Sequence, residues 1–219
     1  MLVSQDPKFI FIHIPKSAGQ SVVNALMPFG SRKYQKLLRP LLSYRMQLKL
    51  NSALKRYLNV YLQPQPFDDH IRALNLRNEM GGSIYEKYFS FTFVRNPWDR
   101  LYSTYNYTRL NSRHGRNKLL HQFADFNEYI EWHCTEDSLS KQIDWVCDPQ
   151  GRQIVEYIGR FETINKDFDA ICNRLGISAS LPEYNASSTG DYRSEYSKYS
   201  QDLVGDAYVE DIEYFGYKF

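Results

Sequence analysis

Cysteine is scarce, and what there is does not cluster. Cys134, Cys147 and Cys172 are far apart in a chain of 219 residues, and no Cys-x-x-Cys pair occurs. An odd, scattered set indicates neither a zinc site nor a disulfide framework, and free thiols suit a reducing compartment. Strong net charge is also missing. The formal balance is +2, so the whole chain carries no nucleic-acid signature, and any grip on anions must come from local clustering. No apolar run reaches the length of a bilayer crossing, and no basic stretch followed by an apolar one opens the chain. These absences make a cytoplasmic protein the expectation. There is no internal repeat and no low-complexity tract. Also absent is Gly-x4-Gly-Lys-[Ser/Thr], the order in which a Walker loop cradles a triphosphate.

What is there is a folded composition. Apolar residues make up 42%, and 219 residues are enough to bury a substantial core in one globular domain. Tyrosine is abundant at 18 residues, and its amphipathic ring suits surfaces that are half buried and half wet, ligand grooves among them.

The most informative stretch runs from Phe9 to Ser21. Lys8 to Ile14 is rich in Phe and Ile, as a strand core is. Pro15 has no N–H for the ladder and ends it. Gly19 gives the backbone freedom to turn. Val22, Val23 and Leu26 then recur at helical spacing. This is strand, tight loop, helix. Lys16, Ser17 and Ser21 fall where the free N–H groups of a helix N-terminus would meet an anion. An ordinary βα turn with an incidental lysine is the alternative.

A second such unit follows. Tyr88 to Val94 reads as a strand and ends in Arg95-Asn96-Pro97-Trp98-Asp99-Arg100, with Pro97 suited to a first helical turn. Arg95 at the strand end and Ser103 two turns into the helix could grip one phosphate, since a guanidinium fork matches phosphate geometry. The alternative is an Arg95–Asp99 ion pair bracing the turn. Gln153 to Gly159 is a third strand candidate, followed by Arg160 and a helix from about 163 to 175. Further helices are expected at 125–133 and from about 201 to 215, and a short helix or irregular groove-lining segment at 139–147.

Between the first two units lies a basic insert at about 31–67. It carries eight Lys and Arg, no acid, and apolar residues mostly at three- and four-residue spacing. Two amphipathic helices parted near Pro40 are expected, suited to an anionic partner or membrane surface, or simply to a solvated face. Asp68 or Asp69 is a candidate cap for a short helix over 71–80, with His70 at its start.

Three strands that each end in polar groups and pass into helices argue for an α/β three-layer fold with a mainly parallel sheet. Ligands of such sheets bind beyond the carboxyl ends of the strands, which puts Lys16, Arg95 and Arg160 on one rim.

The two motifs also resemble a known family. HIPKSAGQS at 13–21 is similar to the 5′-phosphosulfate loop of the family 2, carbohydrate-type sulfotransferases, a group with heparan, chondroitin and many bacterial members. FTFVRNPWDRLYSTY at 91–105 resembles their 3′-phosphate motif. YIGRFETINKDFDAICNRLGI at 157–177 and DIEYFGYKF at 211–219 match later segments, so the likeness covers most of the chain apart from 31–67. The resemblance implies a P-loop-NTPase-like fold, 3′-phosphoadenosine 5′-phosphosulfate as donor, no metal, and transfer of a sulfuryl group to a hydroxyl or amine of a carbohydrate or glycolipid. By the same likeness Lys16, Ser17, Ala18, Gly19, Gln20 and Ser21 hold the 5′-phosphosulfate, and Arg95 and Ser103 the 3′-phosphate. A closing loop with Ser187, Ser188, Tyr192 and Arg193 covers the nucleotide. Lys16 stabilises the leaving oxygen and His70 is the expected base, with Glu79, Asp68 and Asp69 as carboxylate alternatives. His13 is expected to be structural. Two competing readings are a nucleotide kinase or ATPase, which lacks its Gly-Lys-Ser order here, and a non-enzymatic binder of polyanions or membranes.

Overall fold

A computed structural model describes residues 1–30, 70–112, 114–136, 140–182 and 191–219. The basic insert, Asp68, Asp69, Ser187 and Ser188 lie outside the described residues, so the expectations placed on them have no structural counterpart here.

The centre is a four-stranded sheet in the order β1 (Leu2–Gln5), β2 (Lys8–Ile12), β3 (Phe89–Val94), β4 (Tyr157–Arg160). β2, β3 and β4 are mutually parallel, with Phe9 opposite Phe89 and Phe91 opposite Tyr157. β1 folds back antiparallel on β2 across a two-residue turn, pairing Val3 with Ile10. This edge strand is not apparent in the sequence reading, because four residues give too short a run to show a period. The third strand is displaced too. It starts at Tyr157 and not at Gln153, which makes an isolated bridge to Cys147.

Side chains on a strand alternate between faces, and here both faces are buried, as expected of a parallel sheet with helices on each side. Phe9, Phe11, Phe91 and Phe93 pack with Val22 and Leu26 of α1 (Gly19–Gly30). Phe168, Ile171 and Cys172 of α8 (Ile164–Leu175) close the same layer. Ile10, Ile12 and Val94 point the other way. They meet Ala73 and Leu76 of α2 (Ala73–Met80), Tyr85 of α3 (Gly82–Tyr85), Trp145 and Val146 of α7 (Ile143–Val146), and Phe215 of α10 (Val209–Phe215). α2 begins after Arg72, which makes no side-chain cap.

A third cluster stands beyond the carboxyl ends of the strands. It joins α4 (Pro97–Leu110), α5 (Asn117–Leu120), α6 (Phe126–Glu136) and α9 (Lys198–Ala207) through Trp98, Leu101, Tyr105, Phe126, Tyr129, Ile130 and Val204. The single closing helix expected from the sequence is two, α9 and α10, parted at Tyr208. This side cluster builds one wall of the cleft described next.

Candidate active site

A cleft of about 1020 Å³ opens at the carboxyl ends of β2 and β3, between the sheet and the side cluster. Both polar turns face it. Lys16, Ala18, Gly19, Gln20 and Ser21 line it from the first, and Arg95, Asp99 and Ser103 from the second. His13, His70, Tyr107, Phe161 and Tyr192 also line it.

The first turn is strained. Lys16 and Ala18 have φ of 67° and 59°, in the left-handed region that residues with a Cβ avoid. Strain of this kind is held where the surroundings over-determine it, and it clusters at ligand clamps. The sequence reading gives the turning role to Gly19. The structure places it on Lys16 and Ala18 and gives Gly19 another one: a Cβ there would sit 1.7 Å from the His13 ring, so glycine makes room for the imidazole. His13, expected in the core, therefore lies past the end of β2, half-buried against Gly19 and on the cleft wall.

The ammonium of Lys16 lies 3.9 Å from the centre of the Tyr107 ring. Among the described residues no carboxylate pairs with it. Burial, and then the nearby Arg95 charge, lower its pKa to about 8. Such a cation is held by a quadrupole and not neutralised. It sits at the N-terminal end of α1, where backbone donors point outward and the first turn carries no acid.

The second turn is braced. Arg95 makes a bidentate pair with Asp99, at 2.7 and 2.8 Å. Its Nη1 donates to the Lys16 carbonyl at 3.2 Å, and its guanidinium lies 3.9 Å over Phe161. The ion pair weighed as an alternative is therefore present, and Arg95 still faces the cleft. Asn96 caps α4 by accepting from the Trp98 N–H, and its own N–H donates to Glu162 at 2.6 Å. Ser103 stands on the cleft side of α4, with Tyr107 four residues on along the same helical face.

His70 and His13 are in ring contact, with centroids 4.6 Å apart. His70 Nδ1 lies 3.2 Å from the His13 carbonyl oxygen. A carbonyl only accepts, so Nδ1 carries the proton in that bond and the lone pair of the neutral ring is on Nε2. Burial, the N-terminal charge and His70 together lower the pKa of His13 to about 3, which keeps that ring neutral.

Several expected site residues are placed elsewhere. Ser17 is buried, and its hydroxyl donates to Gln142 at 3.3 Å. Gln20 stays in the cleft lining, with its side-chain amide donating to Asn24 on its own helix. Arg193 pairs with Asp191 at 3.2 Å and lies over Tyr192, outside the cleft lining. Arg160 is on the expected rim by position, but its guanidinium donates to the Phe215 carbonyl and stacks on Tyr217. The short helix expected within 139–147 is present as α7, and residues 140–147 are not among the cleft lining. Sequence reasoning missed Tyr107 and Phe161. The first had a signal in its four-residue spacing from Ser103, the second only in following Arg160. It also missed Gln142, Arg100 and Asp211, which no local pattern marks.

The fold and cleft define an α/β protein with a polar cleft at the carboxyl ends of parallel strands. Residues 1–218 match the Sulfotransferase family, and the chain belongs to that family. It is a sulfotransferase-family transferase in that sense. The chain is also similar to an uncharacterized protein of Archaeoglobus fulgidus, 27% identical over 124 residues that cover 55% of this chain and 96% of that protein. Among the described residues no helix is long and apolar enough to cross a membrane.

Proposed function

We propose that the chain transfers a sulfuryl group from 3′-phosphoadenosine 5′-phosphosulfate to a hydroxyl or amine of a carbohydrate or glycolipid, on a P-loop-NTPase-like scaffold. The observation that carries this reading is the convergence of the two turns on one cleft. Lys16 with the α1 N-terminus suits a 5′-phosphosulfate, and Arg95 with Ser103 suits a 3′-phosphate. A cleft of about 1020 Å³ has room for a nucleotide and part of an acceptor. Tyr192 closes over the nucleotide, with Ser187, Ser188 and Arg193 as further members of that loop.

The acceptor oxygen attacks sulfur, and the bond from sulfur to the 5′-phosphate oxygen breaks. Charge builds on that departing oxygen, and the Lys16 ammonium is placed to stabilise it. The acceptor proton passes to His70 Nε2, the ring nitrogen that carries no proton when Nδ1 donates to the His13 carbonyl. The neutral His13 ring and Tyr107 shape the space around the reacting atoms. The basic insert at 31–67 meets an anionic acceptor or an anionic membrane surface, and the protein works in the cytoplasm.

Two measurements test this. Adenosine 3′,5′-bisphosphate is expected to raise the melting temperature strongly, and ATP with Mg²⁺ only weakly. The reverse order would identify a kinase-like site. Labelled sulfate offered with the donor should reach one member of a glycan panel, and His70→Ala should abolish transfer while leaving bisphosphate binding intact. Unchanged turnover in that variant would remove His70 from the mechanism.

A further inference from the structure

Behind the cleft, Gln142 touches both turns. It is fully buried, and its Oε1 accepts from Ser17 Oγ at 3.3 Å and from the Arg95 backbone N–H at 2.9 Å. Its Nε2 donates to the Arg95 carbonyl at 2.8 Å. One amide thus takes a hydrogen bond from the Lys16 turn and exchanges two with the Arg95 turn. The amide has one chemically sensible orientation. Turning it over would set its NH₂ against the Arg95 N–H and its oxygen against the Arg95 carbonyl.

Gln142 is itself held from the third side. Asp211, also fully buried, accepts from the Gln142 N–H at 2.8 Å and from the Ile143 N–H at 2.9 Å. Its Oδ2 lies 3.4 Å from Gln142 Nε2. Arg100 adds a parallel tie. Its Nε donates to the Pro15 carbonyl at 3.0 Å and its Nη1 to the Ser140 carbonyl at 3.1 Å. The 140–142 segment therefore holds the first turn at Ser17 directly and at Pro15 through Arg100, and the second at the Arg95 backbone. Neither turn can shift far without breaking buried hydrogen bonds, and a buried polar group left unpaired is costly.

We propose that Gln142, anchored by Asp211, is a positioning residue that couples the two turns, so that an occupied 5′ site presets the 3′ site and both ends of a 3′,5′-bisphosphorylated nucleotide are recognised as one unit. This rests on the donor reading given above. A coupling of this kind is a differential affinity. It is measured by comparing a ligand that uses both turns with one that uses only the first.

Dissociation constants of adenosine 3′,5′-bisphosphate and adenosine 5′-monophosphate, taken by calorimetry on the full chain, test it. The wild-type protein should prefer the bisphosphate. Gln142→Met keeps the volume and removes every side-chain hydrogen bond. It should cut that preference by on the order of tenfold while still binding the monophosphate. Ser17→Ala severs only the link to the first turn and should cut the preference in the same direction. A Gln142→Met protein that melts earlier yet keeps the wild-type preference would show a merely structural role and overturn the proposal. If Gln142→Met does not fold, Ser17→Ala decides: equal weakening of both ligands places Ser17 on the 5′-phosphate itself and overturns the coupling. A wild-type protein that binds neither nucleotide sinks the donor reading and this inference together. One that binds the bisphosphate, with unchanged preference in the variants, sinks the inference alone.

Discussion

The two turns that face the cleft hold their cations in opposite ways. Arg95 is neutralised and fixed: two bonds to Asp99, one to the Lys16 carbonyl, and Phe161 stacked beneath. Lys16 is neither. It stands on a left-handed backbone with an aromatic ring for company and a pKa lowered to about 8. A braced guanidinium suits recognition, where the same geometry must meet the same phosphate each time. An uncompensated ammonium suits chemistry, where positive charge is wanted at the moment an oxygen becomes negative. On the proposed function, one turn serves position and the other potential.

Removing each cation should separate these roles. The largest effect is expected from Lys16→Met. Losing one donor at a developing oxyanion costs about 10²–10³ in turnover, so labelled-sulfate transfer should fall by that order. The melting temperature should hold or rise, since the variant no longer desolvates a charge. Arg95→Met should act on binding first. It should weaken adenosine 3′,5′-bisphosphate by about 10- to 100-fold, the equivalent of roughly 1.5–3 kcal/mol for a charge-assisted contact. It should also lower the melting temperature, because Asp99 loses its partner. If both variants lost turnover and binding in the same proportion, the contrast between the turns would collapse.

A smaller effect tests what the glycine is for. Gly19→Ala puts a methyl where the His13 ring lies, 1.7 Å from its nearest atom. Overpacking of this sort destabilises by about 1–3 kcal/mol, read as a drop in melting temperature. His13→Ala in the same chain should restore much of that loss, because it empties the contested space. Two independent, additive losses would mean that Gly19 serves the backbone alone.

The contrast also explains what could be read in the sequence. The strand-turn-helix order of both units was legible, because Phe and Ile runs followed by Pro, Gly and helical spacing are local signals. Lys16, Arg95, Ser103 and His70 were legible as chemical groups for the same reason, and all four face one cleft. The Arg95–Asp99 pair was legible as an alternative because the two residues are four apart on a helix start. What was not legible depends on distance along the chain. Gln142 meets Ser17 across 125 residues and Asp211 across 69. No periodicity marks such a residue, and its neighbours look like an irregular segment. The strain at Lys16 and Ala18 was also hidden. Sequence habit assigns a turn to its glycine, whereas here the glycine is spent on the His13 ring.

The smallest expected effect is the one that isolates Lys16 most cleanly. Its pKa in the free protein is about 8, against an ordinary 10.5. Binding an anion favours the protonated form, so the Lys16 contribution to the affinity for adenosine 3′,5′-bisphosphate should be flat below pH 8. Above it, affinity should weaken, by up to about tenfold per pH unit, as the ammonium is lost. Stability has the opposite sign. A lysine whose folded pKa lies below its unfolded value binds fewer protons when folded between about 8 and 10.5. The unfolded state then holds the extra proton, and ligand-free stability gains from this group as pH rises through that window. Tyrosines and cysteines titrate in the same range, so the informative quantity is the difference between wild type and Lys16→Met. Bisphosphate affinity against pH should show the break near 8 in the first and not in the second. A break that persists in Lys16→Met would move the titrating group to another residue, and the first turn would lose its claim to be the one organised for potential.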